Sequence, residues 1–162
     1  MPKGTERWLS TGFAITETTN RHLQSQLEKL ETRRGEIVNL GTDYTSGLHD
    51  DPAVVREMQQ LDGSIDKIRS ILNNSDVLPQ RNDVDQIDVG NRVKIKFEDE
   101  DVEEMYRVGT AIDASYSSDE SSWVSIESPL GKELKGKRKG EIVIYKLGLQ
   151  PNKVKILDIF SE

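Results

Sequence analysis

An α+β protein, with an antiparallel coiled-coil hairpin ahead of a small β-rich domain, is what this sequence predicts. Three observations carry it. Between Leu23 and Leu72 the apolar residues recur at helical spacing. From Arg92 onward they alternate in short runs bounded by turn residues. Between these regions lies a polar, proline-containing stretch, Asn73 to Gln86, that suits neither pattern. The hairpin is therefore placed at 14–78, a linker at 79–86 and the β-rich domain at 87–162.

In the first helix Leu23, Leu27, Leu30 and Ile37 form the stripe, with Arg34 in the slot between the last two. In the second, Val54, Met58, Leu61, Ile65, Ile68 and Leu72 step by 4, 3, 4, 3 and 4, a heptad seam suited to coiled-coil packing. Gly41, Gly47 and Pro52 interrupt the helix between them. Thr16 is placed to cap the first helix, and Asp51 before Pro52 opens the second. A short connection between complementary seams favours an antiparallel pair. Each arm of about 20–24 residues is roughly 30–36 Å long, and two helices bury little, so the hairpin is expected to project.

In the second half Arg92–Phe97 alternates cleanly, with Val93, Ile95 and Phe97 on one face. Further strands are expected at 104–112, 122–126, 141–146 and 153–160. A short helix fits 128–135, with Ser128 as its cap and Pro129 at its first position.

Composition narrows the function. The chain of 162 residues has 22 Lys+Arg against 29 Asp+Glu, a net charge of −7. That balance opposes a protein whose main task is neutralising duplex phosphates. It has no cysteine and two histidines, His22 and His49, which removes thiolate chemistry and leaves little for a zinc site or a Ser-His-Asp triad. No apolar run nears the ~20 residues of a membrane span. Met1 to Thr11 has no signal-peptide core, so a cytoplasmic binding or regulatory protein is expected.

The stretch Val124-Ser-Ile-Glu-Ser-Pro-Leu-Gly-Lys-Glu-Leu-Lys-Gly-Lys-Arg-Lys-Gly-Glu141 resembles the C-terminal motif of the Gre transcript-cleavage factors of bacterial RNA polymerase. There an "IS…SPLG.AL.GK..GD" stretch crosses a strand, a short helix and the next strand of an FKBP-like domain. Leu27 to Ile37 is similar to the family's first coiled-coil helix, and Ile65 to Leu78 to the end of its second. The resemblance runs from about Ala14 to Ile159 and suggests a divergent GreA/GreB-like member.

The resemblance implies a docking domain on the rim of the polymerase secondary channel and a coiled coil inserted into it. Acids at the hairpin tip then help hold a second Mg²⁺ and a water while the polymerase itself cuts backtracked RNA. Mg²⁺ takes hard oxygen ligands, and a second metal stabilises both oxygens of an in-line displacement. The implied partners are bacterial RNA polymerase and the RNA 3′ end in the channel, with no membrane. The chain would act as a monomer, with no catalytic residue or stably bound cofactor of its own, sharing Mg²⁺ with the polymerase. The tip departs from the family's "GDLSENAEY": it reads Gly47-Leu-His-Asp-Asp-Pro-Ala-Val-Val55. Three roles stay open: cleavage stimulator, channel-binding regulator without cleavage, and coiled-coil adaptor for another protein. An FKBP-type isomerase is not expected, because the aromatic residues are scattered.

The candidate residues follow. Asp50 and Asp51 are the candidate Mg²⁺ ligands at the tip, with Asp51 equally explained as a helix cap. Asp43 and His49 share that loop. Ser128, Pro129 and Leu130 are the candidate polymerase contacts. Arg33 and Arg34 either lie along the coiled coil or form a basic patch for nucleic acid. Lys132, Lys135, Lys137, Arg138 and Lys139 form a second basic cluster, and the acid run from Glu98 to Glu104 reads as a solvated hairpin tip.

Overall fold

A computed structural model describes residues 13–41, 51–80, 82–116 and 122–161. The chain forms two compact units, one of residues 20–75 and one joining 1–19 to 76–162. Residues 13–19 thus belong with the C-terminal part, a return of the chain that the sequence pattern does not reveal.

In the helical unit, α1 (Glu17–Gly41) and α2 (Pro52–Asn74) carry the seam. Leu23, Ile37, Ile65 and Ile68 are buried, and Leu27, Leu30, Val54, Met58, Leu61 and Leu72 are half-buried. Ion pairs join Glu31 to Arg69, Arg33 to Glu57 and Arg34 to Asp62. Higher numbers on α1 meet middle numbers on α2 while lower ones meet its end, so the helices run antiparallel. The seam is narrow, and α2 buries only two residues along 23.

The other unit contains two sheets. β1 (Phe13–Thr16) pairs with β2 (Ser75–Leu78). A five-stranded sheet has the order β5-β4-β3-β7-β6, built from β3 (Arg92–Phe97), β4 (Val102–Gly109), β5 (Ser122–Ser125), β6 (Ile142–Leu147) and β7 (Gln150–Phe160). All pairings are antiparallel except β4 with β5. Parallel neighbours need a crossover, and α3 (Ala111–Tyr116) lies in it. The expected strand at 104–112 therefore ends early: Thr110 and Asp113 turn the chain into a helix. α4 (Pro129–Leu134) follows β5.

The core is the inner face of this sheet under α4: Ile87, Val93, Ile95, Val108, Val124, Leu134, Val143, Val154, Ile156 and Ile159. Ile156 and Ile159 are three apart, yet both point inward. A bulge opposite Lys94 and Ile95 makes this possible, with Lys94 facing Asp158 and Ile95 facing Ile156. The acid run forms the β3–β4 turn, where Lys96 pairs with Asp101 and Lys94 with Glu103 at 2.6 Å.

Candidate functional site

The Ser-Pro-Leu-Gly motif is built around one turn of helix. Ser128 caps α4: the Gly131 N–H donates to its Oγ at 3.1 Å, and its hydroxyl donates to the Ser125 carbonyl at 2.6 Å. Pro129 stands at the first helical position, where a missing N–H costs nothing. Leu130 packs against the core. A Cβ on Gly131 would lie 1.9 Å from the Ser125 carbonyl oxygen, so only glycine lets the helix sit this close to β5. Of the three candidate contacts, Pro129 is exposed, Ser128 is half-buried and Leu130 serves the core. Lys132 and Lys135 are exposed on the same helix, whereas Lys139 is engaged with Asp158 at 3.0 Å. Hydrogen bonding from Lys139, then from the Ile159 N–H, holds the Asp158 carboxyl below its ordinary value.

At the root of α2, Asp51 is its N-cap: the Ala53 N–H donates to Oδ1 at 2.8 Å, and the Val55 N–H bonds the Asp51 carbonyl at 3.0 Å. The residue is exposed. It fits a metal shared with another protein to the extent of one carboxylate already engaged in capping. Asp43, His49 and Asp50 lie outside the described residues. Among the described residues no group of three or more histidines or acids is arranged to hold a metal.

Arg33 and Arg34 are both engaged with acids of the hairpin. Arg33 bonds Glu57 through Nε and Nη2, both at 2.9 Å, and reaches Glu36 at 3.4 Å; Arg34 Nε bonds Asp62 at 2.5 Å. Hydrogen bonding to Glu57 and to Asp62 raises each guanidinium above its ordinary value. Both are ties between the helices. Arg34 stands in an apolar slot of α1 because an acid of α2 meets it there.

Residues 81–161 match the family described as transcription elongation factor GreA/GreB, C-terminal. A transcription elongation factor GreA of Roseiflexus sp. (strain RS-1) is 30% identical over 154 residues, covering 90% of this chain and 95% of the relative. The chain belongs to the GreA/GreB family. A second GreA, from Thermoanaerobacter pseudethanolicus, is 28% identical over 93% of this chain and 99% of its own length. The solved GreA factor homolog 1 of Thermus thermophilus is 22% identical, covering 91% of this chain and 98% of that one, with a TM-score of 0.40.

Among the described residues of this Gre-family chain is a fully bonded acid, Asp113, that the sequence pattern does not single out. Asp113 is fully buried. Its Oδ1 accepts the Thr16 N–H at 2.9 Å and the Thr16 hydroxyl at 3.0 Å; its Oδ2 accepts the Thr110 N–H at 2.8 Å and the Thr110 hydroxyl at 3.0 Å. A buried carboxylate is tolerable only with such company. The Asp113 N–H returns a bond to the Thr110 hydroxyl at 3.3 Å, completing a capping box. The signal was Thr110-x-x-Asp113, which announces a helix start. Thr16, as expected, receives the Thr19 N–H at 3.3 Å and caps α1.

Proposed function

We propose that the protein is a transcription elongation factor that binds bacterial RNA polymerase in the cytoplasm. Its C-terminal unit docks on the rim of the secondary channel, and its hairpin enters the channel to stimulate cleavage of backtracked RNA. The observation that carries this reading is the family membership, with GreA relatives matched along nearly their full length. The exposed Pro129 on α4, within the family's motif, is the docking contact. Chemistry stays with the polymerase: the chain contributes an acid at the tip, and Mg²⁺ supplies charge stabilisation in the displacement.

A second reading is a channel-binding regulator without cleavage activity. The use of the Asp51 carboxylate as a cap favours it, since Oδ1 faces its own helix, as does the adjacent pairing of Asp50 and Asp51. Pull-down with core polymerase followed by a cleavage assay on a stalled complex separates the readings. Binding with release of short 3′ fragments supports the stimulator; binding with slowed nucleotide addition and no fragments supports the regulator. No binding sinks both.

A further inference from the structure

The hairpin changes character at one level along its length. Gly35 on α1 and Gly63 on α2 directly follow Arg34 and Asp62, whose side chains meet at 2.5 Å, so the two glycines share that level. Glycine inside a helix is unfavourable because its backbone loses the most freedom on folding. Packing does not require it here. A Cβ at either position meets nothing within 4 Å, and neither residue has a positive φ.

The apolar stripe of α1 is interrupted at the same level, whereas α2 keeps Ile65 buried there. Between Leu30 and Ile37 the slot that an apolar residue would fill holds Arg34, 44% exposed. An open recess of about 590 Å³ lies there, bordered by Glu31, Arg34, Gly35, Asp62, Asp66 and Arg69, with the buried Ile65 of α2 at its floor. What crosses it are exposed ion pairs, Arg34–Asp62 and Arg69–Glu31 at 2.6 Å. Such pairs hold weakly and are screened by salt.

We propose that the Gly35/Gly63 level is a salt-sensitive joint within the hairpin. One section is held by Leu23, Leu27, Leu30, Ile68 and Leu72, the other by Ile37, Val54, Met58 and Leu61, with Ile65 bridging the level between them. Two glycines in helix interiors, a polar residue in the α1 stripe and a recess coincide, and the ion pairs act as its latch. A charged surface that competes for Arg34 or Asp62 releases the latch and lets the far section bend. The joint follows from the hairpin alone and stands whichever partner the hairpin meets.

Hydrogen exchange on the full chain tests it, with NaCl raised from about 0.05 M to about 0.5 M. Amides of 33–37 and 61–65 should exchange faster than those on both sides, and the excess should grow with salt. The Gly35→Ala, Gly63→Ala double variant should slow exchange at this level by about tenfold or more, as expected for two glycines replaced in helix interiors. Arg34→Met, which fills the apolar slot without a charge, should reduce the salt dependence, and adding Arg69→Met should remove most of the rest. Protection that declines smoothly toward the tip, or an excess indifferent to both salt and alanine, would overturn the joint.

Discussion

The two units hold themselves together by different physics. The sheet unit buries a continuous set of branched aliphatic residues, with Val93, Ile95, Val108, Val154 and Ile156 at 0% exposure, and fastens its N-terminal strand through Asp113. The hairpin buries few residues and is crossed by guanidinium–carboxylate pairs on its surface. Apolar burial contributes roughly in proportion to area, whereas an exposed pair contributes little. One region is held mainly by apolar burial; the other adds exposed ion pairs to a narrow apolar seam.

The contrast is broken most strongly at the sheet. Ile95→Ala removes a fully buried side chain and should cost about 3–4 kcal/mol, lowering the urea midpoint of the sheet unit sharply. Asp113→Ala leaves the N–H and hydroxyl groups of Thr16 and Thr110 without their acceptor, at about 2–3 kcal/mol. Its mark should be lost amide protection at Thr16 and Thr110 with the five-stranded sheet still protected. Ile68→Ala, in a seam only partly covered, should cost about 2 kcal/mol, near the lower end for such truncations. Exchange should then rise along α1 and α2 while the sheet unit keeps its melting temperature; joint loss of both would show that the units unfold as one.

The smallest effect is electrostatic. Hydrogen bonding to Lys96 holds the Asp101 carboxyl below its ordinary value of 3.8, and Lys139 does the same for Asp158. A carboxylate depressed in the fold contributes above its unfolded value and loses that contribution as pH falls through the folded one. Thermal stability should therefore decline below about pH 4, and Asp101→Asn should flatten part of that decline.

Much of the fold was legible because it rests on strong local signals. The alternation in Arg92–Phe97 gave β3 its bounds, Asp51-Pro52 opened α2, and Ser128-Pro129 opened α4. What escaped lacks such a signal. α3 is six residues, too short to show a period, so only its capping box marked it. β1 and β2 are four residues each, and their pairing partners lie far along the chain. Arg34 looked like either a snorkelling residue or a patch because periodicity marks the slot on α1 without showing that Asp62 faces it. The Ser-Pro-Leu-Gly motif was legible as a motif, but the division of labour within it was not: Leu130 is apolar for the core, while Pro129 is left to the surface.

The bond from Thr16 to Asp113 has a consequence in time. The two residues are 97 apart in the chain. On a ribosome adding about 5–20 residues per second, the acceptor follows the donor by about 5–20 s. Both hairpin helices are complete well before Asp113 is made, and they must persist or dissolve on their own local contacts. The strand in front of them stays without its buried anchor until the crossover after β4 has been synthesised. Closing so long a loop is the slow kind of contact, so β1, made before everything that anchors it, is among the last elements to settle.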